Sequence, residues 1–86
     1  YEAAIPHMEK AAELMPVDPI VMDHLGDLYW AVGRQLEAKF QWRRALSFDP
    51  EPKDATRIRE KLRVGLDRVL VSEGSKPTSE LYANDN

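Results

Sequence analysis

The 86-residue sequence has no cysteine. That excludes disulfides, thiolate nucleophiles and zinc–sulfur sites together. Its four glycines are scattered, too few and too far apart for a phosphate-cradling loop. No apolar run approaches the ~20 residues that a bilayer-spanning helix needs. No stretch alternates polar and apolar residues in a Val-, Ile- and Thr-rich pattern, so no strand is expected. An excess of positive charge is missing too. Twelve Lys and Arg against 15 Asp and Glu leave a net charge of −3, which argues against a dedicated nucleic-acid binder that works by neutralising phosphates. His7 and His24 are isolated from any second ligand at helical spacing, so no metal is expected. Ser47 and Ser72 have no plausible base, so neither an enzyme nor a cofactor is expected.

Proline and glycine divide what remains into four stretches with helical periodicity. In the first, Ile5, Met8, Ala11, Ala12 and Met15 share one face. The second opens at Asp18-Pro19, a preferred N-cap followed by a proline that forfeits no useful donor. Its inward stripe is Met22, Leu25, Gly26, Leu28, Tyr29 and Val32, and Gly33 ends it. The third runs from about Gln35 to Phe48 with a wide apolar surface, and Asp49-Pro50-Glu51-Pro52 stops it. The fourth is expected as a single helix from Pro52 to about Val71, with Ala55, Ile58, Leu62, Leu66, Val69 and Leu70 inward. Arg63 and Asp67, four residues apart, would pair on its solvent side. Residues 73–86 are polar and rich in turn formers, and are expected to form a disordered tail.

A longer period lies beneath these four stretches. Met22, Leu25, Gly26 and Tyr29 are followed by Gly33, then Ala38, Trp42 and Ala45, then Pro50. About 34 residues upstream, Ala4, Met8, Ala11 and Pro16 stand at the places of Ala38, Trp42, Ala45 and Pro50. This pattern resembles the tetratricopeptide repeat, a helix–turn–helix unit stacked into an α-solenoid. Met22 stands where the repeat has Trp, and Trp42 where it has a second aromatic; both remain large and apolar. Small Gly26 and Ala38 would let the two helices cross closely. The Leu25-Gly26-Asp27-x-Tyr29 stretch is similar to that of bacterial repeat proteins.

The resemblance implies an all-α fold of antiparallel helix hairpins. Residues 1–17 would be the second helix of a truncated repeat, 18–51 a complete repeat and 52–72 a C-terminal capping helix, where Arg59 or Glu60 departs from the expected small residue. The chain opens at Tyr1 without an initiator Met and reads as part of a longer protein, so its compartment is undetermined.

The resemblance also implies binding of a protein or peptide along a concave groove, with Ile20, Asp23, Asp27 and Trp30 facing it from the first helix of the repeat. The capping helix would contribute Lys53 and Arg63, with Thr56 and Glu60, if Ala55, Ile58 and Leu62 point inward. The neighbouring register would present Arg57 and Lys61 instead. In either register basic residues lie near Asp23 and Asp27, and these would pair within the molecule or fix the register of a bound peptide with Trp30 as its apolar anchor; Trp30 would be either a groove aromatic or a contact to the capping helix. Asp23 and Asp27 would repel a peptide's terminal carboxylate, so no carboxylate clamp is expected in this repeat. The alternative reading is purely architectural, with the chain capping and solubilising a larger repeat protein. A third, weaker reading takes the basic fourth helix as a contact for nucleic acid or an anionic membrane surface, diluted by Asp54, Glu60 and Asp67. With no partner for its apolar face, the first helix is expected to draw two copies into a homodimer.

Overall fold

The computed structural model describes residues 2–15 and 18–75. The protein is all-α. Among the described residues there are five helices and no strand: α1 Ala4–Leu14, α2 Pro19–Ala31, α3 Gln35–Ser47, α4 Pro52–Val64 and α5 Leu66–Ser72. Pro16 and most of the expected tail lie outside the described residues.

The helix boundaries follow local chemistry. Asp18 has extended backbone geometry, and its Oδ1 accepts from the Ile20 N–H at 2.9 Å, capping α2 ahead of Pro19. At the other end Gly33 takes φ +86°, and the Arg34 N–H donates to the Tyr29 carbonyl at 2.8 Å. This left-handed residue, with a hydrogen bond reaching back over the last turn, reverses the chain into α3. Asp49 ends α3 at φ +57°, a conformation that Asp tolerates better than most residues, and Pro50 and Pro52 follow. The fourth stretch is not one helix. Gly65 sits at φ +90° and ψ 156°, a region open essentially only to glycine. The chain breaks there, and α5 starts in a new direction.

The core runs through the α2–α3 crossing. Gly26 is buried, and a Cβ added to it would lie 2.5 Å from Trp42 Nε1 and 3.1 Å from the Ala38 carbonyl oxygen. Ala38 and Trp42 are both fully buried. The indole therefore occupies space that any side chain at position 26 would need. Met22, Leu25, Tyr29, Ala45 and Ile58 close around it, and sealing a Met or Ile this completely stabilises by roughly 1.5–3 kcal/mol. Helix α1 lies against α2 through Ile5 and Ala12. Tyr29 donates its hydroxyl hydrogen bond to Glu9 and carries the Arg34 guanidinium 4.5 Å from its ring centroid.

Two apolar faces stay partly open. Met15, on the face that the first helix was expected to leave without a partner, is 51% exposed beside an exposed Leu14. On α3 only Ala38, Trp42 and Ala45 are buried, while Leu36 and Phe40 stand 84% and 59% exposed.

Candidate functional site

Two features carry unusual chemistry, and both involve α4. The first is a buried charge cluster. Asp23 and Asp27 are four apart on α2, so their carboxylates lie on one face and repel each other. Lys61 on α4 enters between them with its side chain fully buried. Its Nζ donates to Asp23 Oδ1 at 2.8 Å and to both Asp27 oxygens at 3.0 and 3.1 Å. Trp42 Nε1–H donates to Asp27 Oδ1 at 3.1 Å, and Lys61 Nζ lies 5.9 Å from the Trp42 ring centroid. Burial pushes the Asp27 carboxyl above its ordinary value. Lys61 pulls against that shift, and the neighbouring Asp23 adds to it.

This cluster acts as a register lock. Only one sliding position of α4 places Lys61 between the two carboxylates, and any other leaves buried charge without a partner. Along α4, Ala55, Ile58 and Lys61 are buried, whereas Leu62 is only half-buried. The register with Leu62 inward left Lys61 off this face, whereas the neighbouring register presents it toward Asp23 and Asp27, where it is found. A signal for the true arrangement was present, since an acidic pair at i,i+4 on a helix that also packs a core calls for a cation.

The second feature is a cleft of about 510 Å³ between the outer side of α4 and α5. Gly65 makes it by turning the chain. A Cβ there would sit 2.8 Å from Trp30 Cζ2, so glycine serves both the backbone conformation and the close approach of the indole. Arg57, near the start of α4, donates to both oxygens of Glu73, just past the end of α5, at 2.7 and 2.8 Å. Helix α5 therefore doubles back along α4. That bidentate bond holds the Glu73 carboxyl below its ordinary value. Arg63 pairs with Glu60 at 2.8 Å, not with Asp67; Asp67 instead accepts from Trp30 Nε1–H at 3.4 Å. Val64 and Val69 supply the apolar part of the lining, and Lys53 and Arg68 complete the rim.

The residues expected to line one groove are thus divided. Asp23 is buried and Asp27 half-buried, both turned to Lys61. Trp30 is half-buried, its ring centroid 5.6 Å from that of Trp42 and its edge over Gly65. Ile20 is 41% exposed. Lys53 and Arg63 are exposed and lie in the α4–α5 cleft, with Thr56 and Glu60. Of the alternative pair, Arg57 joins that cleft and Lys61 is interior. Leu25, Gly26, Tyr29, Ala38, Trp42 and Ala45 are buried around the hairpin, while Gly33 and Pro50 mark its turn and its exit.

His7 and His24 are exposed, and among the described residues no group of three or more His, Asp or Glu could hold a metal. No helix of the described residues is long and apolar enough to cross a membrane. The chain matches no protein-family model, no curated protein and no solved structure.

Proposed function

We propose that this chain is a protein–protein interaction scaffold, the end of a tetratricopeptide-type solenoid that binds a peptide or protein. One observation carries the reading. The small residues that the repeat-like motif expects, Gly26 and Ala38, meet around Trp42 where α2 crosses α3. A crossing of this kind suits stacking of hairpins, each offering its surplus face to a partner.

On this reading the binding surface lies on the outer side of α4 with Lys53 and Arg63, and Ile20 is a separate exposed position on α2. Asp23, Asp27 and Trp30 serve the interior, so changing them would disturb folding whether or not the chain binds anything. The decisive experiment identifies a partner by pull-down with the full-length parent protein, then tests the triple variant Ile20→Glu, Lys53→Glu, Arg63→Glu. Loss of the partner with an unchanged melting curve is the expected result. Retention of the partner would leave the chain as a structural cap, the second reading, which the largely polar outer side of α4 favours.

Leu14 and Met15, 70% and 51% exposed, support pairing of two copies through α1. Sedimentation at rising concentration tests it, and a monomer throughout would rule it out.

A further inference from the structure

The α4–α5 cleft combines three properties rarely found together on a surface of net negative charge. Its cations outnumber its carboxylates, with Lys53, Arg57, Arg63 and Arg68 against Glu60 and Glu73, although the whole chain carries −3. Part of its lining is apolar, through Val64 and Val69. Two of its four cations are already paired in fixed geometry, Arg57 with Glu73 and Arg63 with Glu60. That leaves Lys53 and Arg68, which have no carboxylate partner among the described residues.

Both free cations line the cleft, Lys53 from α4 and Arg68 from α5. Lys53 is in the first turn of α4, and Arg68 is just beyond the turn that follows Val64. From position 53 to 64 the helix rises roughly 16 Å at 1.5 Å per residue. An extended segment covers that distance in about five residues at ~3.3 Å each.

We propose that this cleft binds an acidic protein segment in extended form, with two carboxylates about five residues apart and an apolar side chain between them. The outer carboxylates meet Lys53 and Arg68, and the apolar side chain enters between α4 and α5 against Val64 and Val69. The guanidiniums of Arg57 and Arg63, held by their own glutamates, present fixed walls instead of mobile charges. Nucleic acid fits this surface less well, because Glu60 and Glu73 stand inside the cleft and would face its phosphates. A membrane surface is flat, and the apolar part of this site is recessed. This inference deepens the scaffold reading and rests on it, since it names the chemistry of the partner.

The test uses the 86-residue chain and three fluorescein-labelled synthetic peptides: Glu-Thr-Leu-Thr-Thr-Glu, its counterpart with both Glu replaced by Gln, and its counterpart with Leu replaced by Ala. Binding is followed by fluorescence anisotropy at low salt. The first peptide is expected to bind at least tenfold more tightly than either counterpart. The variant Lys53→Glu, Arg68→Glu, whose substitutions sit at exposed positions, should abolish that preference while its circular dichroism and melting stay unchanged. Thr56→Trp, which fills the cleft from an exposed position on α4, should do the same. Equal binding of the three peptides overturns the proposal. So does a preference for a short DNA duplex or phosphatidylserine vesicles that disappears in the same variant. If the natural partner is lost with the Ile20, Lys53, Arg63 variant but the peptides show no preference, the cleft chemistry fails and the scaffold reading stands.

Discussion

The α2–α3 hairpin and the α4–α5 end are held by different physics. In the hairpin, close approach comes from missing side-chain volume. Gly26 and Ala38 leave room, and the fully buried Trp42 fills it. At the α4–α5 end, position is set by charge. Lys61 locks α4 to α2 from within, and the Arg57–Glu73 pair ties α5 to α4 from outside. Steric nesting sets a distance and tolerates small sliding. A buried cation between two carboxylates sets a register and tolerates none. The terminal element, which has less apolar surface to bury, uses the second device.

The sharpest way to break this comparison is Lys61→Ala. It strands two buried carboxylates, and removal of one partner of a buried ion pair costs roughly 3–5 kcal/mol. Urea unfolding is expected to show a loss of that size, enough to unfold a domain this small near room temperature. A loss below about 1 kcal/mol would mean that the charges do not set the register. Replacing Lys61 by Met together with Asp23 and Asp27 by Asn should recover much of the stability.

Gly65→Ala comes next. It forces a non-glycine residue into a glycine-only conformation, at a cost of about 1–3 kcal/mol, and drives a methyl into the Trp30 ring. Tryptophan emission should shift as Trp30 becomes exposed. An unchanged spectrum would show that α5 is not held by this turn.

Gly26→Ala is expected to cost somewhat less. Its new methyl overlaps Trp42 in a packed core, an overpacking of roughly 1–3 kcal/mol, but alanine returns up to about 1 kcal/mol of helix propensity. Net stabilisation on thermal unfolding would refute the close crossing.

The smallest effect concerns pH. Burial, aided by the hydrogen bond to Glu9, pushes the Tyr29 hydroxyl up to about 12 from an ordinary value of 10.0. A group whose folded value is raised contributes stability that is complete below its unfolded value and is lost as pH rises through the folded one. Stability attributable to Tyr29 should therefore fall between pH 10 and about 12. A phenolate absorbance titration should show a late phase that is missing in Tyr29→Phe.

Much of the helical layout was legible in the sequence because it rests on local signals. Asp18-Pro19, Gly33 and Pro50 act within a turn of themselves, and each bounds a helix where its chemistry requires. The small residues at positions 26 and 38 were legible because they stand where the resemblance to a helix–turn–helix repeat expects small residues. Gly65 was passed over inside an apolar stripe that continues on both sides of it, and periodicity alone cannot tell a bent chain from a straight one. The candidate site was only partly legible. Lys53 and Arg63 fell on an open surface, whereas Asp23, Asp27 and Trp30 took the intramolecular alternative, pairing with Lys61 and packing beside Gly65, because the choice depends on a partner helix whose register periodicity leaves open.

By itself, the sequence determined where α2 and α3 start and stop, and it marked positions 26 and 38 as small, since caps, breakers and side-chain volume act at single sites. Only the tertiary structure decided what the charges do. Asp23 and Lys61 are 38 positions apart, and although the acidic pair at positions 23 and 27 called for a cation, no local pattern identified Lys61 as the one that reaches it. The difference lies in the dielectric each lysine meets after α4 docks.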